Sequence, residues 1–384
     1  MKQTAKIIST YTADVSGVCS ALFELGGMVI MHDASGCNST YNTHDEPRWY
    51  DMDSMVFISA LTEIEAIMGD DEKLIGDIVD AANQLHPKFI AIAGTPIPMM
   101  IGTDFPAVAQ VVEERTGIPA FGFPTNGMHA YTSGAGMALA GLARRMVQER
   151  QSAPVAEGVN ILGATPLDFS VNGSVEKMRD LLTGAGFQVI STWAMGDDLS
   201  ALEQAALARV NLVVSASGLP AARVLKERFG IPYVAGVPMG ETFTKYLLRE
   251  LRQSAETGCD RVAYGDETTS EGTADLVIIG EGVYSNSLAA ALRLEKGLSA
   301  RVICPVECDD ALLLADNVRA TDEEELRPYL SEGKRLVADP LYRPICPSEV
   351  DFIALPHEGF SGRMFREDIP NLIGVGFEQW AKNR

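Results

Sequence analysis

A strand–helix–strand pattern occurs twice in this 384-residue chain, and it restricts the fold more than any other feature of the sequence. An apolar run, a helical stretch and a second apolar run entered through Gly-Ile-Pro occupy 89–127 and recur over 210–240. The two Gly-Ile-Pro triplets begin at 117 and 230, so the copies lie 113 residues apart. That spacing is too long for a solenoid repeat, and it favours duplicated domains in which parallel strands alternate with helices.

Further apolar segments follow the same pattern. Each is short, rich in Val, Ile, Ala and Gly, and ends at small or turn-forming residues, as strands of a buried parallel sheet do. The clearest runs are 26–31, 89–94, 159–164, 210–217, 274–280, 300–306, 335–340 and 351–356. Longer stretches with helical spacing separate many of them. The sequence therefore predicts an α/β chain built on parallel sheets.

Two polar stretches divide this α/β pattern. The first is 148–158, and the second is 254–273, where hydrophobicity falls and acidic and small residues gather. Domain boundaries favour such segments. We expect three Rossmann-like, doubly wound domains: 1–154, 155–270 and 271–384.

Charge and composition exclude several classes of partner. The chain has 31 Lys and Arg against 52 Asp and Glu, a formal charge of −21, which repels nucleic acid and anionic lipid surfaces. No apolar run reaches the roughly 18 to 20 residues of a membrane span, and the start of the chain lacks the apolar stretch of a secretory signal. We expect a cytoplasmic protein. Its six cysteines are too sparse for a disulfide framework, so a functional thiol is expected to be a metal ligand or a nucleophile.

Open parallel sheets bind ligands beyond the carboxyl ends of their strands. Residues that follow the predicted strands are therefore the candidates for a site, and three domains with such loops facing one another would enclose a central cavity. The candidates are His32, Cys37, Thr95, Ser215, Ser217, His357, Glu358, Ser361 and Arg363.

Two of these residues have the clearest chemistry. Cys37 follows Gly36 in a small-residue loop, where a thiolate can face a bulky inorganic group, although a lone cysteine is more often a buried apolar residue. His357 directly follows a strand and is placed to be a ligand or a proton donor, with the capping of a loop as its alternative.

Cys19 lies in a helical stretch and fits a core position at least as well as a ligand position. The remaining cysteines fit structural positions.

Common catalytic fingerprints are missing from the sequence. It contains neither a phosphate-binding G-x-x-x-x-G-K-[ST] loop nor a G-x-G-x-x-G turn, so ATP or NAD chemistry would have to come from a partner. It also lacks the G-x-S-x-G elbow of Ser-His-Asp hydrolases.

The order of several motifs resembles component 1 of nitrogenase and its relatives, which include a cofactor-assembly scaffold, the dark-operative protochlorophyllide reductase and the nickel-sirohydrochlorin reductive cyclase. The motifs are GVCSALFELGG, HDASGC, SALTEIEAIMGDDEKL, FIAIAGTPIPMMIGTDF, ERTGIPAFGFPTNG, VNILGATPLDF, NLVVSASGLPAARVLKERFGIPYVAGVPMG and LPHEGFSGR. They span nearly the whole chain.

The resemblance implies a three-domain subunit of a homo- or hetero-oligomer. A separate ATP-hydrolysing iron protein would supply its electrons through an iron–sulfur cluster, expected to be [4Fe–4S], at a subunit interface. Cys37 falls on the Gly-Cys position that supplies one cluster thiolate in this family. Cys19 lies near the first family cysteine but only 18 residues before Cys37, so it is the weaker metal candidate.

Departures from the family pattern restrict the cofactor. Thr95 stands where several members carry a cluster cysteine, so this chain lacks one thiolate and needs ligands from a second copy or a different partner subunit. Ser215 stands where the nitrogenase α-subunit anchors its active-site cofactor through cysteine, and a hydroxyl is a poor ligand for a thiophilic cluster. We therefore expect no FeMo-type cofactor and no N2 reduction.

The resemblance aligns His357 with a family histidine near the chain end. His357, Ser361 and Arg363, with Ser215, would line a pocket for an anionic organic substrate, with Arg363 as the carboxylate partner and His357 as proton donor.

Three functions fit the sequence. The first is a subunit of a nitrogenase-like reductase acting on a small molecule or a tetrapyrrole. The second is a scaffold on which a metallocofactor is assembled, and the third is a binding or structural subunit that keeps the fold without a cluster. Thr95 modestly favours the second and third.

Overall fold

Three separate parallel sheets organise the chain. The computed structural model describes residues 5–34, 36, 41, 45–265 and 274–382. Within these residues, fourteen strands form one four-stranded and two five-stranded sheets, and every strand pair in them is parallel. This confirms the predicted α/β class. Among the described helices, none is long and apolar enough to cross a bilayer.

The first sheet lies in the N-terminal third of the chain and has the order β2-β1-β3-β4. Its strands are β1 (Met28–His32), β2 (Met55–Ile58), β3 (Ile90–Gly94) and β4 (Ala120–Phe123). The helices of this part are α1 (Asp14–Leu22), α2 (Glu63–Met68), α3 (Glu72–Leu85), α4 (Pro96–Ile101), α5 (Phe105–Thr116) and α6 (Tyr131–Arg145).

The second sheet has the order β6-β5-β7-β8-β9. Its strands are β5 (Gly158–Leu162), β6 (Gln188–Thr192), β7 (Val210–Val213), β8 (Tyr233–Ala235) and β9 (Arg261–Val262). Its helices are α7 (Pro166–Phe169), α8 (Ser174–Gly184), α9 (Leu199–Glu203), α10 (Leu219–Phe229) and α11 (Glu241–Thr257).

The third sheet has the order β12-β11-β10-β13-β14. Its strands are β10 (Leu276–Ile279), β11 (Ala300–Cys304), β12 (Val318–Arg319), β13 (Arg335–Ala338) and β14 (Asp351–Ala354). The accompanying helices are α12 (Gly282–Lys296), α13 (Glu323–Leu326), α14 (Glu358–Ser361) and α15 (Val375–Ala381). The predicted boundary at 254–273 includes residues 266–273, which lie outside the described part, and the three domain ranges remain predictions.

The internal repeat has a direct structural cause. Gly117 ends α5 and Gly230 ends α10, both in the left-handed conformation with φ of +71° and +72°. A side chain at either position would be strained, so glycine provides the cap. A proline near the start of each helix, Pro106 and Pro220, has a backbone already suited to a first turn. Both copies thus specify a helix of fixed length between two neighbouring parallel strands.

The apolar runs and the repeat correctly locate the central strands of all three sheets. The strands β2, β6, β9 and β12 escaped the sequence analysis, and all four lie at sheet edges. Edge strands are partly exposed, as the pattern in β6 shows, and two of the four contain only two residues. The polar residues of β6 and the short length of β9 and β12 explain why the sequence pattern missed these three. The strand β2 is a short apolar run, MVFI, that the pattern did not single out.

Each sheet reverses its strand order once. These switch points lie between β1 and β3, between β5 and β7, and between β10 and β13. The loops beyond β5, β7, β10 and β14 contact one another, for example where the Ala216 amide donates to the Glu281 carboxylate across 2.9 Å. The second and third switch points therefore share one buried site, which lies where such sheets bind ligands.

Candidate functional site

Asp168 lies at the centre of this buried site. It sits in α7, which begins at Pro166 behind the N-cap Thr165. Its Oδ1 accepts a hydrogen bond of 2.5 Å from the hydroxyl of Tyr131, and its Oδ2 accepts one of 2.7 Å from Thr165. Tyr131 is the first residue of α6, so this carboxylate ties the first part of the chain to the second.

Glu281 supplies a second buried carboxyl group. It is 1% exposed and caps the N-terminus of α12. Its Oε1 accepts from the amides of Ala216 at 2.9 Å and Val283 at 3.1 Å, and its Oε2 accepts from the amide of Tyr284 at 2.8 Å. These bonds fix the carboxyl group between the second and third sheets.

His357 closes the site from the end of β14. Its backbone amide donates to Asp339 Oδ2 at 2.7 Å, and its Nδ1 accepts from the Gly359 amide at 3.2 Å. The ring stacks on Phe360 with centroids 4.4 Å apart. Its Nε2 is buried without a hydrogen-bond partner among the described residues, and lies 3.6 Å from Asp168 Oδ1.

Asp168, Glu281 and His357 line one enclosed cavity. Its volume is about 20 Å³, which holds about one water molecule. Tyr284 and Phe169 form apolar parts of its wall. We call these three polar residues and their cavity the buried cluster. In this conformation it has no room for an organic substrate.

Burial changes the protonation of the buried cluster. Burial raises the pKa of Asp168 to about 6, against hydrogen bonds from Tyr131 and Thr165 that lower it. Burial, and then the negative charge of Asp168, raise the pKa of Glu281 to about 8. Burial lowers the pKa of His357 to about 3, so its imidazole is neutral near neutral pH. The role of His357 as proton donor remains a prediction, and this neutrality works against it.

The structure brings some predicted site residues together and separates others. Ser215 is fully buried beside Asp168, and its Oγ donates to the Gly163 carbonyl at 2.8 Å. Ser361 is buried behind His357, where its Oγ donates to Asp339 Oδ2 at 2.8 Å. Arg363 is exposed and does not line the cavity of the buried cluster. Arg363 could pair with a substrate carboxylate only if the substrate bound outside this cavity or if the conformation changed, so this pairing stays a prediction.

Three buried acidic residues in and beside the buried cluster, Asp168, Glu281 and Asp339, were missed by the sequence analysis. Glu281 and Asp339 follow the ends of β10 and β13 closely, so the rule that selected His357 would have found both if applied to every strand. Asp168 lies six residues beyond β5 and gave no comparable signal. Its role depends on contacts with Tyr131 and His357, which are distant in sequence.

The first switch point differs from the buried cluster. His32 ends β1, and its Nδ1 lies 2.8 Å from Ser59 Oγ. Thr95 caps α4 directly after β3, and its hydroxyl donates to the His32 carbonyl at 3.3 Å. Gly36, immediately before Cys37, is exposed. Cys37 itself lies outside the described residues.

Exposed apolar side chains flank this switch point. In α2, Ile64 and Ile67 are each 74% exposed and Met68 is 72% exposed, while Met100 in the neighbouring α4 is 80% exposed. Apolar side chains grouped in this way are typical of a surface that contacts another protein. We call the surface formed by α2 and α4, beside the loop that leads to Cys37, the open edge.

Cys19, the second metal candidate, is completely buried in α1 within the core beside the first sheet. Burial, together with the charge of Glu46, raises the pKa of its thiol. A buried neutral thiol is a poor metal ligand, since metals bind the thiolate.

The described residues do not by themselves fit an iron–sulfur cluster. They contain no group of three or more His, Cys, Asp or Glu side chains able to hold a metal ion. Cys19 is a core residue, and Thr95 offers a hydroxyl engaged with His32. A cluster at the open edge would therefore need ligands from outside the described residues, with Cys37 as the predicted one.

A larger groove lies outside the buried cluster. Its volume is about 1050 Å³, and it runs between α5, β4 and α6 on one side and α10 with the 307–309 loop on the other. Phe121, Phe123 and Met137 contribute to its apolar lining, and Arg144 lies at its border. It has the size of an organic ligand site. Ala216 lines this groove and also donates to Glu281, so the groove and the buried cluster adjoin.

Comparison with known proteins shows which family the chain belongs to. The pattern of the nitrogenase component 1 type oxidoreductases matches residues 15–274. The nitrogenase iron-molybdenum cofactor biosynthesis protein NifE of Clostridium pasteurianum is 26% identical over 179 residues, 46% of this chain and 38% of that protein. One of the subunits of the light-independent protochlorophyllide reductase of Nostoc punctiforme is 26% identical over 194 residues, 48% of this chain and 38% of that protein.

Each of these matches spans well under two thirds of the relative's own length. Among solved structures, nitrogenase Cp1 at pH 6.5 superimposes with a TM-score of 0.71 at 14% identity, covering 100% of this chain and 93% of that one. At this identity the likeness concerns the fold. It confirms the expected architecture of three sheets.

Proposed function

This chain belongs to the nitrogenase component 1 type oxidoreductase family, and we propose that it is one subunit of a two-component reductase. An ATP-hydrolysing iron protein supplies single electrons, and a second component 1-like chain completes the catalytic unit. The substrate is a small molecule or a tetrapyrrole, and reduction takes place in the cytoplasm. N2 is not the substrate in this proposal, because Ser215 replaces the cysteine that would anchor the nitrogenase cofactor.

The observation that carries the proposal is the open edge. Its exposed isoleucine and methionine side chains lie at the switch point of the first sheet, next to the loop that leads to Cys37. An apolar surface beside a candidate cluster thiol supports a subunit interface at that position. The partner is a second copy of this chain or a related subunit with more cysteines.

The interface is also where we place the implied [4Fe–4S] cluster. Such a cluster needs about four ligands and supplies one-electron transfer when bound. Cys37 contributes one thiolate in this proposal, and the neighbouring chain contributes the others. The burial of Cys19 speaks against its participation.

Substrate binding involves the region between the open groove and the buried cluster. The groove of about 1050 Å³ accommodates the bulk of an organic molecule, whereas the buried cluster admits about one atom the size of a water oxygen. His357 and Ser215 remain the proposed contacts on the buried side. Ser361 supports them by holding Asp339, which in turn holds the His357 backbone.

Iron analysis after anaerobic purification tests the cluster. We expect a brown protein, and Cys37→Ser should lose most of its iron while keeping the wild-type circular dichroism spectrum. Cys259→Ser is the matched control because Cys259 is an exposed thiol. A colourless, iron-free wild-type complex, or unchanged iron in Cys37→Ser, would count against the reductase.

A scaffold for metallocofactor assembly is the second candidate. Its support is the similarity to NifE, which is named for iron-molybdenum cofactor biosynthesis. The small volume of the buried cluster weighs against it, because a metallocofactor between the second and third sheets would require these to move apart. A cluster-free binding subunit of the same fold is the third candidate.

Reconstitution distinguishes the three candidates. The complex is loaded with iron and sulfide, then mixed with a reductant and, separately, with an apo acceptor protein. Multiple turnovers of a substrate support the reductase, and release of the cluster to the acceptor without turnover supports the scaffold. Failure of the complex with its partner subunit to retain iron supports the cluster-free subunit.

A further inference from the structure

Within the described residues, the first sheet has one strand fewer than the second, at a position that the internal repeat identifies. In the second sheet β9 pairs in parallel with β8, whereas β4, the counterpart of β8, is the edge of the first sheet. The Gly-Ile-Pro triplets at 117 and 230 align the two copies, so Gly122 corresponds to Ala235. The second sheet therefore shows which backbone groups of β4 have no neighbouring strand.

Alternate residues of β4 direct their backbone groups away from the rest of the sheet. The Ile90 amide of β3 donates to the Pro119 carbonyl at 2.9 Å, and Ile90 pairs with Ala120. In such a parallel pair the residues on either side of Ala120 face β3. Because the backbone alternates with a period of two residues, Ala120 and Gly122 both face the open side of β4.

The second sheet is built in the same way, and there the outward groups are bonded. The Asn211 amide of β7 donates to the Pro232 carbonyl at 2.8 Å, as Ile90 does to its own proline. Ala235 therefore faces β9, and its carbonyl accepts from the Ala263 amide at 2.9 Å. The corresponding groups of Gly122 point into a groove instead.

The chain itself satisfies one of the two outward residues of β4 and leaves the other open. The Ala120 amide donates to Glu113 Oε2 at 2.9 Å, and its carbonyl accepts from Arg145 Nη1 at 2.7 Å. Pro124 has no amide hydrogen to donate. Between them, the amide and carbonyl of Gly122 have no partner in the described part of the chain. We call these two groups the free pair.

The free pair has a definite chemical complement. In an extended residue the N–H and the C=O point to the same side and lie next to each other. A ligand with one donor beside one acceptor can bind both at once, as a ring amide with its N–H and C=O on one edge does. One residue is too short for a normal strand, so the sealed Ala120 and Pro124 favour a compact ligand.

The groove around the free pair suits a flat apolar body. It has a volume of about 1050 Å³ and is lined by Gly122. A side chain at that position would place Cβ 2.0 Å from the Phe105 carbonyl oxygen, so the backbone stays uncovered. The rings of Phe121 and Phe123 are parallel to within 2°, with centroids 6.0 Å apart, and with Met137 they make the neighbouring lining apolar.

We propose that the groove binds a flat heterocycle with a cis-amide edge, a lactam or an imide, which donates to the Gly122 carbonyl and accepts from the Gly122 amide. The ligand takes the place beside β4 that β9 takes beside β8. This names the substrate class of the reductase and so rests on the function proposed above. A cyclic tetrapyrrole directs its N–H groups into its ring and has no such edge, so the proposal selects the small molecule.

Isotope labelling isolates the Gly122 amide in the full chain. Phe-Gly occurs twice in the sequence, at 121–122 and at 229–230. Phenylalanine labelled with ¹³C at the carbonyl and glycine labelled with ¹⁵N therefore give two correlated signals in nuclear magnetic resonance. Gly230 is the internal control, since its amide already donates to the Lys226 carbonyl at 2.8 Å. Phe229→Leu removes the Gly230 signal and so assigns both.

The probe is phenanthridinone, a flat three-ring lactam, and its N-methyl derivative is the matched control compound. We expect the lactam to shift the Gly122 signal and to leave Gly230 unchanged. The N-methyl derivative has no N–H to donate, and it should bind about 10-fold more weakly or worse. Met137→Trp fills the groove and should abolish the shift. Met128→Trp, at a side chain 72% exposed outside the groove, is the control variant and should retain it.

The outcomes separate this inference from the proposed function. An unmoved Gly122 signal, equal affinity for the two compounds, or a shift that survives Met137→Trp overturns the site. A Gly122 amide protected from hydrogen exchange in the free chain overturns it too, because another segment then pairs with β4. In the active complex the lactam should raise KM and leave kcat unchanged.

An unchanged KM in that complex overturns the groove as the substrate site and leaves the reductase standing. A complex without reductase activity overturns the substrate assignment together with the proposed function. The shift of Gly122 still decides in that case whether the groove binds a cis-amide.

Discussion

The buried cluster and the open edge occupy equivalent positions in their sheets. The buried cluster is enclosed by protein, whereas the side chains of the open edge are exposed to solvent. Both lie beyond the carboxyl ends of strands at a switch point. At the buried cluster, loops of the second and third sheets cover each other and enclose about 20 Å³. At the open edge, α2 and α4 expose Ile67 and Met100 to solvent.

The comparison shows that the same strand topology produces two different kinds of site. The kind of site depends on whether another sheet covers the carboxyl ends of the strands. Where another sheet of the same chain covers them, carboxyl groups lose water and their pKa values rise, as in Glu281. Where no sheet in the described part of the chain covers them, apolar side chains are exposed, and their exposure indicates a partner. The protein thus separates a candidate site for proton transfer from a candidate site for electron entry.

The largest expected effect concerns Arg48, which lies in the segment that follows Cys37. Arg48 is 3% exposed and pairs with Glu46 at 2.6 Å and with Glu24 at 2.8 Å, and it donates to the Ala194 carbonyl beside the second sheet. Arg48→Met leaves Glu46 buried without a counter-charge, and we expect a loss of about 3 to 5 kcal/mol in the free energy of unfolding. Urea denaturation measures it.

Arg115→Met is the control for Arg48→Met. Arg115 pairs with Glu72 at the surface at 3.0 Å, and removal of an exposed pair should cost at most about 1 kcal/mol. Equal losses in the two variants would show that the segment after Cys37 is not anchored by the buried arginine.

A second, intermediate effect concerns the pH dependence of the buried cluster. The pKa of Glu281 is raised from 4.5 to about 8 on folding, so the folded state binds a proton that the unfolded state has released. Stability is then highest at low pH for this group and falls as the pH rises towards 8. The slope is at most about 1.4 kcal/mol per pH unit for one retained proton.

His357 acts in the opposite direction, because its pKa falls from 6.5 to about 3 and its contribution is lost only as the pH drops below 6.5. Denaturation between about pH 7 and pH 8 therefore reports mainly on the carboxyl groups, because an unfolded histidine is largely neutral there. Glu281→Gln should flatten the decline in that window. A decline as steep as in the wild type would assign it to other groups.

The smallest effect on stability is expected at the open edge. The same substitution should have a large effect on the association of subunits. Ile67→Lys replaces a side chain that is 74% exposed, so the free energy of unfolding should change by less than about 0.5 kcal/mol. A buried charge at a subunit interface should nevertheless weaken association, which analytical ultracentrifugation detects. Val375→Lys, at a side chain 62% exposed in α15, is the control. Equal association in both variants would place the interface elsewhere.

Much of the fold was predictable because its determinants are local. Gly117 and Gly230 terminate helices through their own backbone conformation, and the central strands are continuous apolar runs. Edge strands such as β6 were missed because partial exposure removes the apolar signal. Ser215 and His357 were correctly identified as residues beyond strand ends, since the position of a loop after a strand is also a local property.

The chemistry of the site was decided by tertiary structure. The sequence by itself determined the α/β class, the repeat and the positions of the strand ends, because periodicity, caps and turns act over a few residues. Only the tertiary structure placed Asp168 against Tyr131 and His357, turned Arg363 to the surface and buried Cys19. Burial and charge proximity depend on which loops meet, and these interactions, through desolvation, set the protonation of Glu281 and His357.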